Sequence, residues 1–423
     1  MNLPLFEIFN GRSFLFALIA SLVLTTSVLA DDVGFVGNDF RVNSYTNNNQ
    51  SFPEIAMSPE GQAVVVWESI GQDGSNHAAV GQRYGPDGLP VGDEFIANTT
   101  TANTQSQPSV AMDADGSFVV FWRSRDQDGS EFGAYAQRYS PSGERVGNEF
   151  RINVATDGDQ DDAFAAFDGA GNMLVVYVSG DISSAGVFAR RYDTQGIPGD
   201  EFRINETTQS WQQDPQVAGL TSGFVVTWES RSVDSDRLAI MQRRYTTTGL
   251  PLTGEQQVNT TETEDQKNPA IARQPDDRYA IAWESIGQDG SGAAVIARTF
   301  AADGAPISGE IILNETLLDD QENPDVAIDG RGGYVAIWDG DAASGGSNDE
   351  IWGRRFLADG TLVGDEFQIN TRTNNRQVFP AIAGGHNGRL LAVWHSWTED
   401  GNGTGMVGRR LRITSLFEDR FED

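Results

Sequence analysis

The sequence predicts an all-β protein: a seven-bladed β-propeller of four-stranded antiparallel blades, closed by an N-terminal strand that completes the last blade. Three observations lead there. A stretch exemplified by Gly92 to Val146 occurs seven times, opening at Gly37, Gly92, Gly147, Gly199, Gly254, Gly309 and Gly364, at steps of 55, 55, 52, 55, 55 and 55 residues. Regular self-similarity near this period marks a propeller or an array. Each copy divides into four short strand-like segments separated by turn residues, and the mature chain shows no helical periodicity. The first and last copies keep the pattern, while the most divergent copy, the third, is interior. An open stack needs atypical polar caps at its ends. A closed ring needs none and leaves only short, protected edges.

The second copy shows the elements in order. Gly92 to Asn98 alternates apolar and polar residues, as a half-exposed strand does. Thr99 to Gln107 is a polar crossing. Pro108 to Met112 reads as a short strand with proline at its start, and Asp113 to Gly116 as a turn. Ser117 to Trp122 is nearly all apolar, the pattern of a strand buried on both faces. Asp126 to Ser130 is a loop, Gly133 to Tyr139 the next strand, and Ser140 to Gly143 the turn into the following copy. In this order the last copy lacks a fourth strand, which Asp39 to Asn43 can supply. The Asn-to-Gln crossings and the Gln-Asp-Gly-Ser loops then share one face of the ring, and the tight turns share the other. Function concentrates in the longer loops.

Three columns recur within the chain. Asn43, Asn98, Asn153, Asn205, Asn259, Asn314 and Asn370 are each followed seven residues later by a Gln. Their amides suit the backbone groups of an irregular crossing. A proline follows the Gln by three residues in every copy except the third, where Ala163 stands. The aromatic column is Trp67, Trp122, Tyr177, Trp228, Trp283, Trp338 and Trp394, at the ends of buried strands, and reads as core.

The chain has 423 residues, 61 acidic and 29 basic, with a formal net charge of −32 and no cysteine. That charge argues against nucleic acid and anionic lipid as partners. The absence of cysteine excludes disulfides and thiol chemistry. Residues 1–30 read as a signal peptide: Arg12 precedes the apolar run Phe14 to Leu24, and Val28 and Ala30 suit a cleavage site. No other segment has the length and character of a membrane-spanning helix. The expected organisation is therefore a signal peptide at 1–30, the propeller at 31–411 and an acidic C-terminal tail at 412–423, in a secreted, cell-surface or periplasmic protein.

The string QxxPxxA…FVVxWxS…QDGS…QRY…GxEFxxN, from about Gly37 to Leu411, resembles tandem repeats of large secreted and surface proteins of bacteria, often found beside calcium-binding repeats. The resemblance implies an extracellular binding or adhesion role. The third copy departs from it with Ala163, Tyr177 and the loop Gly180 to Gly186.

No motif for a nucleophile, metal centre or nucleotide is present, and His77, His386 and His395 fall in no recognisable arrangement. The Gln-Asp-Gly-Ser loops supply too few oxygens in line for calcium, which takes six to eight. The densest carboxylates, Asp157, Asp159, Asp161 and Asp162, are the candidate calcium ligands. Two tryptophans fall outside the repeat, Trp211 beside a column Gln and Trp397 after Trp394. Both map to the long-loop face as candidate ligand-stacking residues. The function expected is a non-catalytic binding or adhesion propeller that recognises an extracellular glycan or protein ligand. The alternatives are a secreted glycan-active hydrolase or lyase and a purely structural surface module.

Overall fold

The computed structural model describes residues 32–180, 185–234, 237–317, 319–341, 348–397 and 403–414; the signal-peptide segment 1–30 and residues 415–423 of the expected tail lie outside them. Seven four-stranded antiparallel sheets form the blades of a propeller, with no helix among the described residues. Blade 1 spans 50–96, blade 2 105–151, blade 3 160–203, blade 4 212–257, blade 5 266–312, blade 6 321–368, and blade 7 377–414 with 32–41 as its outer strand.

Every innermost strand begins at the column glutamine, three residues before the proline where the sequence placed its start. Each then carries a bulge at the residue preceding the proline column, where the register with the second strand shifts. The bulged residues Phe52, Gln107, Asp162, Asp214, Asn268, Asn323 and Phe379 all have φ between 48° and 53°. Proline is tolerated because the innermost strand is a sheet edge, so the missing N–H breaks no ladder.

The two recurring amides explain why the crossings repeat. The column asparagine accepts a hydrogen bond from the third strand of its blade: Ala79 N to Asn98 Oδ1 at 3.0 Å, Ala134 N to Asn153 Oδ1 at 3.0 Å, Ile351 N to Asn370 Oδ1 at 2.8 Å. The column glutamine donates into the crossing, as from Gln105 Nε2 to the Ala102 carbonyl at 2.7 Å. In blades 4 to 7 its oxygen also accepts the indole N–H of the column tryptophan, at 2.8–3.1 Å. All six column tryptophans are fully buried, and they anchor apolar clusters shared between adjacent blades. The Gln-Asp-Gly-Ser loops meet the crossings on one face: Asn98 Nδ2 donates to Asp73 Oδ2 at 2.9 Å and Asn314 Nδ2 to Asp289 Oδ2 at 2.8 Å.

Closure follows the expected route and is more extensive. Asp32–Arg41 pairs antiparallel with Thr404–Thr414, setting Asp32 opposite Thr414 and Arg41 opposite Val407. Asp39 replaces the outer-strand glutamate of the other blades and accepts both the N–H and the hydroxyl of Thr371 at 2.7 Å. Glu149 binds Thr99 and Thr100 in the same way. Removing residues 32–41 from the mature protein leaves an unpaired edge on blade 7, which invites strand addition. The expected result is a lower melting temperature with concentration-dependent association. A truncated protein that stays monomeric with unchanged melting contradicts this closure.

Candidate functional site

The residue after the column aromatic faces the innermost strand of the next blade. It is Glu68, Arg123, Val178, Glu229, Glu284, Asp339 and His395 in blades 1 to 7. In four blades its carboxylate accepts the N–H of the next blade's bulged residue: Gln107 to Glu68 at 3.3 Å, Asn268 to Glu229 at 2.5 Å, Asn323 to Glu284 at 2.7 Å, Phe379 to Asp339 at 3.0 Å. These acids brace the inner ring. Arg123 serves the same seam differently, with a 2.9 Å ion pair to Asp161 of blade 3. Blade 7 breaks the pattern. His395 is buried, and both of its ring nitrogens lack a hydrogen-bond partner.

His395 lines a cavity of about 270 Å³ on the long-loop face, between blades 5, 6 and 7. That is at the lower edge of small-molecule pockets, roughly 300–1,000 Å³. Lys267, the one lysine of the chain, lies across it from Arg376 and Trp397. Lys267 Nζ is 2.8 Å from Glu284 Oε2 and 3.8 Å from Glu322 Oε1. Arg376 pairs with Asp349. His395 packs between two aromatic rings, with centroids 6.1 Å from Phe379 and 6.5 Å from Trp397. Burial, with Arg376 nearby, pushes its pKa down to about 4, so the imidazole is neutral at ordinary pH. Burial pushes Asp339 well above the usual carboxylate range, despite bonds from Asn323 and Phe379, so it holds a proton to higher pH than a free carboxyl. The pocket thus offers a neutral imidazole, a buried carboxyl of raised pKa, two cations and an exposed indole.

Of the residues singled out in the sequence, Trp397 lies in this pocket and is 47% exposed. Trp211 is 50% exposed but lies outside it, in the crossing into blade 4, with the Arg231 guanidinium 5.7 Å from its ring centroid. The four aspartates of blade 3 serve separate partners. The Asp157 carbonyl accepts from Gln160, Asp159 accepts the N–H of Phe132, Asp161 pairs with Arg123, and Asp162 faces the central channel. Among the described residues no group of three or more His, Asp or Glu side chains is set to hold a metal ion. His395, Lys267 and Arg376 were missed by motif reading. The signal that finds them is departure from the repeat, the criterion that selected Trp397. His395 stands where four other blades have an acid, and Arg376 takes the place of Asp265 and Asp320.

No protein-family model matches the chain, and no curated protein matches it. Solved structures do share the fold. An ulvan lyase of polysaccharide lyase family PL25, bound to -[GlcA(1-4)Rha3S]-, has a TM-score of 0.55 at 9% identity, covering 89% of this chain and 94% of that one. The polysaccharide lyase Uly1 has a TM-score of 0.54 at 9% identity, covering 92% and 100%. A protein of unknown function from Dyadobacter fermentans has 0.51 at 12% identity, covering 90% and 99%. These findings correct the expectation of a non-catalytic binding or adhesion propeller. Propellers that match nearly the whole chain are named as polysaccharide lyases, which favours the glycan-active alternative. The physical reason the sequence misled is that the repeat motif reports the blade, while the pocket is made of its exceptions.

The channel beside this pocket has its own titration. Burial raises the pKa of the channel residues Glu54 to about 8, Asp162 to about 7 and Asp325 to about 6, and of Glu229 at the adjoining seam to about 8, with neighbouring carboxylates adding to Glu54, Asp162 and Glu229. In the unfolded chain these groups titrate near 4.5 and 3.8. The folded state therefore binds more protons. The stability they contribute is complete below the unfolded values and is lost as pH rises through the folded ones. His395 acts oppositely, losing stability as pH falls from 6.5 to about 4. Above pH 6.5 only the carboxyl trend remains, so the melting temperature should fall between pH 6.5 and about 8. Glu54→Gln should flatten that slope in a thermal scan; a slope unchanged by the substitution removes Glu54 from the account.

Proposed function

We propose that this protein is a glycan-active enzyme that cleaves a uronate-containing polysaccharide by β-elimination on its long-loop face. The observation that carries the reading is His395, a buried neutral imidazole with two unpartnered nitrogens, facing a pocket that also holds Lys267 and Arg376. The shared fold with propellers named as polysaccharide lyases, one bound to a glucuronate-containing saccharide, supports it. The signal peptide expected at residues 1–30 would bring such an enzyme to extracellular glycans.

Elimination requires a base at C5 of the uronate, a charge partner for its carboxylate and an acid for the leaving oxygen. Lys267 and Arg376 receive the carboxylate, which makes the C5 hydrogen more acidic. A ring nitrogen of His395 takes that proton. The C–H electron pair becomes the C4–C5 double bond and the C4–O bond breaks. The departing oxygen takes the proton of Asp339. Exchange with water then resets His395 and Asp339. The incoming carboxylate also raises the low pKa of His395, moving the base toward the range where proton transfer is most effective. Trp397 offers a face for stacking a sugar ring.

His395→Gln should lower turnover by about 10²–10⁴, the usual share of a general base, while calorimetry shows substrate still binding. The assay offers ulvan and other uronate polysaccharides and reads the ultraviolet absorbance of the unsaturated product. Equal rates for wild type and variant overturn the assignment of the base. A second reading, hydrolysis, is favoured by one observation: two carboxyl groups, Asp339 and the less buried Glu322, line the same pocket, and burial raises Asp339 well above the usual range. New reducing ends without unsaturation, lost in Asp339→Asn, would select it.

The net charge of −32 adds a salt test. A polyanionic substrate is repelled at long range and attracted only within the pocket. Moderate salt screens the first effect more than the second. Turnover per unit concentration of polysaccharide should rise between low and moderate ionic strength. A monotonic fall over that range would show that long-range attraction governs binding.

A further inference from the structure

The seven bulged residues of the inner ring are not chemically alike. Five are Gln107, Asp162, Asp214, Asn268 and Asn323, whose polar side chains suit a left-handed backbone or local hydrogen bonding. Two are phenylalanines, Phe52 of blade 1 and Phe379 of blade 7, both at φ 53°. A bulky residue in this region is an outlier that persists only when its surroundings enforce it, and such outliers gather at functional sites. These two are adjacent across the closure seam, with ring centroids 5.0 Å apart. Neither is buried: Phe52 is 44% and Phe379 37% exposed. A phenylalanine kept for packing would be covered.

The pair continues the pocket. Phe379 lines both the His395 cavity and the mouth of the central channel, and Phe52 lines the channel mouth. Ring contacts run from Trp397 to His395 at 6.5 Å, to Phe379 at 6.1 Å and to Phe52 at 5.0 Å. Asn268 and Asn323 stand on the channel mouth with them and offer amides to hydroxyl groups. Such a track is longer than one sugar ring and apolar on one side.

Resting on the glycan-active reading, we propose that Phe52 and Phe379 form a second saccharide subsite. It stacks against the C–H face of a sugar next to the one held at His395, and it selects the interior of a polymer over a chain end. Continuity with the His395 pocket identifies the occupant, since a chain seated there must leave it over Phe379 or over Trp397.

The test uses the mature protein and glucuronate oligosaccharides graded from disaccharide to hexasaccharide, with affinity read by calorimetry. Phe52→Asn, Phe379→Asn and the double variant place at these positions the residue that blades 5 and 6 already hold in the same conformation, so the fold is retained or stabilised. In the wild type, affinity should rise with length. In the double variant that gain should fall by about tenfold, the size of one aromatic stacking contact, at an unchanged or higher melting temperature. Phe379→Trp should restore it. Length-dependent affinity that is equal in wild type and double variant overturns the subsite, as does a wild type that binds no member of the series. A melting temperature that falls without loss of affinity assigns the pair to the seam and likewise overturns it. Because binding is read without turnover, a failure of His395 as the base leaves this result standing, and the converse holds.

Discussion

The structure depends on how each blade is tied to the next at the inner ring. The innermost strand is an edge, and its bulge turns one N–H out of the ladder and toward the neighbouring blade. A buried N–H without a partner is costly. A carboxylate one residue past the column tryptophan answers it at four seams. The same strand fixes the tryptophan through the column glutamine. Core, crossing and seam are thus one connected network in blades 4 to 6, where both bonds are present. A residue in that network has part of its hydrogen-bonding capacity committed to the fold.

That constraint explains why the site lies where the network lapses. At the seam from blade 7 to blade 1 the bracing acid is absent and His395 stands in its place with both nitrogens open. Asp339, by contrast, is shared: it accepts N–H groups of Phe379 and Asn323 through one oxygen while it lines the pocket. The only lysine and an arginine outside the acidic pattern flank this lapse. In a chain so acidic, cations set into one pocket alter the local field far more than the same charges would elsewhere.

The architecture was legible because repetition turns weak signals into strong ones. A single Asn-to-Gln spacing says little, but seven fix the crossings, the inner strands and the ring. The start of the innermost strand was placed three residues late, at the proline, because a bulge is a register event, set by tertiary contact with the next blade and invisible in one strand's pattern. Trp397 was visible as an off-pattern aromatic. His395 was not, because it follows Trp394 in a strand that reads as core, and a lone histidine in such a strand carries no motif. The convergence of Lys267 from blade 5 with Arg376 and His395 at blade 7 needs the ring, since 128 residues separate the first from the last.

Closure and function meet in the same blade. The strand carrying His395 pairs with Thr404–Thr414, and that strand is held on its other side only by Asp32–Arg41. Phe52, across the seam, belongs to the blade that begins the ring. The track from Trp397 to Phe52 therefore exists only when the first and last parts of the chain are joined. A propeller open at this seam would retain most of its core, since the apolar clusters of blades 2 to 6 lie elsewhere. It would lose the geometry of its site first. On the proposed reading, a pocket beside the closure makes the integrity of the ring a condition of activity, because the His395 side of the pocket is formed in the blade that the N-terminal strand completes.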